Sequence, residues 1–326
     1  MRRRDFIQIA TGAAATLPLA TRAQPIRKVA HIGFLGSATA AGSSQAVRAL
    51  REGLNALGYV EGKNILIEFR WAEGKYERLP ALLSDLIRLN VDVLVTHGTP
   101  GTQAAKKATT TIPIVMAISG DAVATGIVTN LGRPDANITG STFFLPELNA
   151  KRLELLKEVL PDITHVGALS NPANPVSVPV VSKLTAAATP LKLKVEVFNV
   201  HAPGDFVGAF ETLAKSGVNA VTVTEDGEFA ASFKTIAALA AGKKLPSIGS
   251  REYAEAGGFI GYGVNILSLY RRAAYFVDRI LKGSKPADLP IEQPTRFDFV
   301  INLKTAKTLG LTVLPSLLSR GDELIE

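Results

Sequence analysis

Apolar residues along this chain come in two patterns. Short, nearly continuous apolar runs read as buried strands, and they alternate with longer segments whose apolar residues recur every three or four positions, as in amphipathic helices. The first run covers residues 28–35 (KVAHIGFL). A small-residue loop at 36–44 leads to a helix with Ala46, Val47, Leu50, Leu54 and Leu57 on one face, closed by Gly58. Strands at 64–70, 91–95 and 112–118, with helices at 76–89 and 102–109, complete a β-α-β-α-β-α-β block. After a helix at 146–160 the order repeats, with strands at 165–170, 193–200, 220–224 and 246–248 and helices at 178–188, 205–215 and 229–241. This alternation predicts an α/β protein of two doubly wound parallel-sheet domains.

The tail continues past the second block. It holds a strand at 258–262, a long amphipathic helix at 265–282, a proline-punctuated crossing at 285–294, a strand at 297–302 and a short helical end. With both sheets already built, this tail is expected to pass back over the domain boundary, making a hinge of several crossings. The expected domains are residues 28–142 with about 263–290, and 143–262 with about 291–326.

Ligands of open α/β sheets bind outside the carboxyl ends of the strands, so the loops there are the candidate site. Those loops hold Gly36-Ser37, His97 to Gly101 and Ser119-Gly120-Asp121 in the first block. In the second they hold Asn171-Pro172, Glu225 to Gly227 and Gly249 to Tyr253. Backbone and hydroxyl donors at Ser37, Gly98 and Thr99, with Pro100 in the same glycine loop, suit a carboxylate, as do the N-terminal N–H groups of the helix that follows that loop, and Gly120 lies on the neighbouring loop. Asp121, Glu225 or Asp226 offers charge for an ammonium group. Asn171, Tyr253 and Tyr262 complete the set, the two tyrosines as covers for an apolar portion. Asp121 and Asn171 are also good turn formers, which is the competing reading of both.

Composition narrows the function classes. A hydrophobic content of 47% with 20% charged residues fits a folded globular protein. The net charge of +7 is partly concentrated in Arg2, Arg3 and Arg4, and the other basic residues alternate with acidic ones, as in Lys151, Arg152, Glu154, Lys157 and Glu158. That alternation reads as a solvated helix face, not as a nucleic-acid footprint. The chain has no cysteine, which excludes disulfides, thiolate metal sites and a cysteine nucleophile. No Gly-x-Ser-x-Gly elbow, His-Glu-x-x-His pair or phosphate-binding glycine loop occurs. No cofactor or metal is therefore expected. His31 and His165 lie inside apolar strand patterns; His97, which opens a glycine loop, is the histidine in a position to face a ligand. His97 beside Thr99 or Ser119 is the one pair that would serve a hydrolase, the alternative to a binding protein.

Residues 1–23 read as an export signal: a basic start, a weakly apolar run and a small-residue cleavage site at Ala23. Arg3-Arg4-Asp5-Phe6-Ile7 is similar to a twin-arginine pattern. The mature protein is expected in the periplasm, free of a lipid anchor.

Several segments together carry a family resemblance: GLNALGYVEG from Gly53, RWAEGKYERLP from Arg70, GTPGTQAAK from Gly98, NPANP from Asn171, EAGGFIGY from Glu255 and FVINLKTAKTLGL from Phe299. The chain closely resembles the periplasmic substrate-binding proteins of ABC importers, in the branch labelled tryptophan/tyrosine-type, over residues 28–326. The resemblance implies a type I periplasmic binding fold with flavodoxin-like strand order in each lobe. It implies a monomer that closes on a small-molecule solute, plausibly an amino acid, and delivers it to ABC permease subunits in the inner membrane. A ligand-sensing domain that presents itself to a membrane receptor would need the same closure. The family commonly has Asp-Pro where this chain has Asp121-Ala122.

Overall fold

The computed structural model describes residues 29–134, 137–201 and 203–326. The export signal expected at 1–23 lies outside the described residues. The first lobe runs β1 (Ala30–Gly36), α1 (Ser44–Ala56), β2 (Ile65–Trp71), α2 (Leu79–Arg88), β3 (Val93–His97), α3 (Thr99–Ala108), β4 (Ile114–Gly120) and β5 (Ile138–Phe143). Its strands lie in the order β2-β1-β3-β4-β5, all parallel. Helices on both faces account for the continuous burial of β4, in which all seven residues are out of solvent.

The second lobe begins with α4 (Leu145–Val159), β6 (His165–Ser170), α5 (Ser177–Ala188), β7 (Lys194–Asn199), α6 (Asp205–Lys215) and β8 (Ala220–Val223). It continues with α7 (Gly227–Gly242), β9 (Ser247–Gly249), α8 (Arg251–Glu255) and β10 (Ile260–Val264). The chain then returns to the first lobe as α9 (Ile266–Leu281), whose Leu269, Tyr270, Ala273, Phe276 and Val277 are buried; the helix packs on α1 and along β4 and β5. It crosses back to form β11 (Phe297–Asn302), α10 (Leu303–Leu309), α11 (Pro315–Leu318) and β12 (Glu323–Ile325). The second sheet has the order β12-β11-β10-β9-β8-β6-β7.

The two sheets are the α/β arrangement that the sequence pattern predicts, with three differences. Strand β11 runs antiparallel to β10, and β12 follows the direction of β11, so the far edge of the second sheet is mixed. Strand β5 has no counterpart in the sequence reading. Its sequence, ITGSTF, is fully buried but rich in hydroxyls, and those hydroxyls serve crossing backbone: Thr139 donates to the Leu289 carbonyl at 2.8 Å. The Glu292 backbone pairs with the same strand at Gly140 and Thr142. A polar strand sealed by a returning segment shows no apolar run. Third, α3 starts at Thr99, not at 102, so the glycine loop is largely the helix's first turn. Gly98 precedes it at φ +82°, a conformation that glycine adopts at little cost, and Pro100 sits where a helix tolerates proline.

Candidate functional site

The carboxyl ends of both sheets face each other across an interlobe cavity of about 100 Å³. That is well above the roughly 10–15 Å³ that one water occupies, so the space admits a small solute. The first lobe contributes Ser37 from the end of β1, His97, Gly98, Thr99 and Pro100 from the β3–α3 junction, and Ser119 and Gly120 from β4. The second lobe contributes Arg152 from α4, Glu225 and Asp226 after β8, and Glu252 from α8. Apolar side chains fill in between, among them Ile118, Phe143, Leu148, Val176, Phe233 and Ile266.

The first-lobe wall carries no charge. The Ser37 hydroxyl donates to the His97 carbonyl at 2.7 Å, and the Thr99 hydroxyl accepts from the Gly120 N–H at 3.2 Å. No side chain caps the first turn of α3, which presents its positive dipole end to the cavity. His97 Nδ1 pairs with the Tyr270 hydroxyl, and burial pulls the imidazole down to about 4, so the ring stays neutral. The hydroxyls of Thr99 and Ser119 pair with each other at 3.4 Å. Among the described residues neither is hydrogen-bonded to His97, so the arrangement lacks the base–nucleophile contact of a hydrolase.

The second-lobe wall is built from charges. Arg152 is fully buried; its Nε donates to the Tyr262 carbonyl at 2.7 Å and its Nη2 pairs with Glu225 Oε1. Glu225 Oε2 accepts from Asn149 Nδ2 at 2.8 Å. Asp226 accepts four hydrogen bonds: at Oδ1 from Asn171 Nδ2 at 3.2 Å and the Glu228 N–H at 2.9 Å, and at Oδ2 from Asn174 Nδ2 at 3.0 Å and the Tyr76 hydroxyl at 2.7 Å. Those four fill the acceptor capacity of a carboxylate. Glu252 Oε2 is out of solvent with no hydrogen-bond partner. Burial lifts the Glu252 carboxyl to about 7, against the pull of its own N–H, Ser250 and Arg152.

The Tyr76–Asp226 bond joins the two lobes directly. Beside it, Gly74 sits at φ +76°, and a Cβ there would lie 1.3 Å from Glu228 Oε2. A side chain at this position would be strained and would displace the Glu228 carboxylate. Burial and the neighbouring Asp226 charge push the Tyr76 phenol well above its ordinary range, so it remains a donor.

Of the residues that the sequence nominates, Ser37, Gly98, Thr99, Pro100, Gly120, Glu225 and Asp226 border the cavity. The structure places the other four elsewhere. Asp121 accepts from the N–H groups of Val123 and Ala124, its turn-forming alternative. Asn171 lies buried behind Asp226. Tyr253 is enclosed in the second lobe's core, edge-on to Phe233 with its hydroxyl donating to Ser247. Tyr262 stacks on Phe297, with ring centroids 5.9 Å apart, and gives the site only its carbonyl. His31 and His165 lie away from the cavity, the latter beside Glu196 at 3.0 Å.

Tyr76, Arg152, Asn174, Ser250 and Glu252 are polar wall residues that the sequence reading does not nominate. The solvated-face reading of Arg152 is wrong: it lies in phase with buried Leu148, Leu155, Leu156 and Val159 on α4. That phase was the available signal, since positions three and four apart share a helix face.

Comparison with known proteins agrees with this architecture. The sequence pattern of ABC transporter substrate-binding proteins matches residues 28–325. A tyrosine-binding protein of Clostridioides difficile is 26% identical over 258 residues, spanning 79% of this chain and 74% of that protein. A Streptococcus pneumonia ABC domain solved in complex with L-Trp superposes with a TM-score of 0.82 at 27% identity, over 90% of this chain and all of that one (100%). A Vibrio cholerae domain gives a TM-score of 0.86 at 28% identity, over 91% and 100% of the two chains. This chain belongs to the ABC transporter substrate-binding protein family, whose members bind solutes and do not transform them.

Proposed function

We propose that this protein captures an α-amino acid with a large apolar or aromatic side chain in the interlobe cavity and delivers it to an ABC permease. The observation that carries the reading is the polarity of the cavity. A neutral wall with a helix N-terminus and the Thr99 hydroxyl suits a carboxylate. The opposite wall carries more acidic than basic side chains, Glu225, Asp226 and Glu252 against Arg152, and suits an ammonium group. Apolar residues between them suit the side chain. The tyrosine-binding and L-Trp-bound relatives support an aromatic choice. The lobes, divided near 142, 263 and 290, close as bodies about the crossing segments, with Tyr76 and Asp226 meeting on closure. Residues 1–23 direct export, and the mature monomer works in the periplasm.

The test is thermal unfolding of the purified protein against single amino acids, with benzoate and other plain carboxylates alongside. A ligand at 100 times its dissociation constant adds about 2.7 kcal/mol, or a rise of a few degrees in Tm for lobes of this size. L-tryptophan or L-tyrosine is expected to give that rise. A panel with no response from any amino acid would overturn the reading.

A further inference from the structure

Three carboxylates border the cavity, and two of them are already engaged. Glu225 is held by Arg152 and Asn149. Asp226 accepts four donors, one of them from the opposite lobe. Glu252 differs: it borders the cavity, and its Oε2 is out of solvent with no hydrogen-bond partner. A buried, unpaired carboxylate oxygen is costly, and an N–H donor brought into the cavity by a ligand would relieve it once the side chain turns toward that donor. Arg152 does not fill this role: it is ion-paired with Glu225 and donates from Nε to the Tyr262 carbonyl, and among the described residues no hydrogen bond joins it to Glu252.

We propose that Glu252 selects the solute by gripping its ammonium group, so that the protein discriminates α-amino acids from the corresponding amine-free acids in a pH-dependent way. The proposal rests on the amino-acid reading given above and assigns the selecting residue within it. The charges acting on Glu252 are Arg152 from α4, which favours its ionised form, and Glu255 on its own helix, which opposes it. Glu225 and Asp226 border the same cavity from the loop before α7. In the unliganded site the carboxyl titrates at about 7. An ammonium ligand needs it ionised, so binding releases a proton below that pH. An amine-free acid has no such requirement.

The experiment is calorimetric titration of the purified protein and of Glu252→Gln with L-tryptophan, L-tyrosine and their amine-free analogues, 3-(indol-3-yl)propanoate and 3-(4-hydroxyphenyl)propanoate, from pH 5.5 to 8.5. The native protein is expected to prefer the amino acid by at least ~10-fold at pH 8.5, the scale of a hydrogen bond to a charged group. Its affinity for the amino acid should weaken ~30-fold between pH 8.5 and 5.5 by linkage. Glu252→Gln should lose both the preference and the slope while binding the amine-free acid at least as well as the native protein. Retention of the preference and the slope by Glu252→Gln would overturn the proposal and leave the amino-acid reading standing. If the native protein binds none of the four and no other amino acid, both fall together. Should the variant fail to fold, the native pH profiles decide: an amino-acid profile as flat as that of its analogue rules Glu252 out.

Discussion

The two walls of the cavity solve the same problem in opposite ways. The first-lobe wall is made of backbone and hydroxyls at the start of α3, with a histidine held neutral. It offers polarity without net charge. The second-lobe wall is made of acidic and basic side chains that are held by partners: Arg152 with Glu225, and Asp226 with two asparagines, an N–H group and a tyrosine. Backbone donors need no partner to stay in position, because the helix fixes them. Buried charges do need partners, so the second wall should be the more fragile when one member is removed.

Removing Arg152 is the strongest way to break that comparison. In Arg152→Met, Glu225 loses its counter-ion and the Tyr262 carbonyl its donor. Since Glu225 keeps Asn149 and is 21% exposed, the expected loss is about 2–4 kcal/mol, slightly below that for a wholly buried pair. Urea unfolding of the ligand-free protein measures it. The double variant Arg152→Met, Glu225→Gln should recover part of the loss, because the uncompensated charge is then gone. A loss under about 1 kcal/mol, against the several expected of a broken buried pair, would mean that the second wall is no more interdependent than the first.

The walls also differ in how far they can be read from sequence. The first is legible because its chemistry requires particular residues at a particular place: a glycine with positive φ and hydroxyls just past a strand end. Charge alone does not reveal the second. Glu252 and Tyr253 show why. The stretch Gly249 to Tyr253 reads as a loop, but it contains the start of the short helix α8. Neighbours on a helix point roughly 100° apart, given 3.6 residues per turn, so Glu252 faces the cavity while Tyr253 faces the core. An error of element type therefore selects the wrong neighbour. Strand β5 escaped for a related reason, since its hydroxyls pair with a crossing segment nearly 150 residues away in sequence. Apart from β5 and α8, the β-α alternation was legible, because parallel strands buried on both faces leave continuous apolar runs.

A smaller effect is expected where the walls meet. Tyr76→Phe removes the hydroxyl that reaches Asp226 across the lobes at 2.7 Å. One hydrogen bond to a charged acceptor is worth about 1.5–3 kcal/mol at most, and Asp226 keeps three other donors. Ligand dissociation, followed by stopped flow, should accelerate ~5- to 20-fold with the association rate little changed, as interface losses usually appear in the off-rate. Slower association with unchanged dissociation would place Tyr76 on the entry path and not at the closed contact.

The smallest effect tests where the second wall ends. Tyr253 is fully buried one residue beyond Glu252, and its hydroxyl donates to Ser247 at 2.8 Å inside the core. Tyr253→Phe keeps the ring and its edge-on contact with Phe233 and deletes only that hydrogen bond. Burial already holds the phenol protonated far above neutral pH, so no charge is altered. The expected cost is about 1 kcal/mol of stability, with ligand affinity within about twofold of the native value because the ring contact with Phe233, which borders the cavity, is kept. A tenfold loss of affinity at unchanged stability would show that the hydroxyl supports Glu252 through α8. The charged wall would then extend a layer deeper than the side chains that border the cavity.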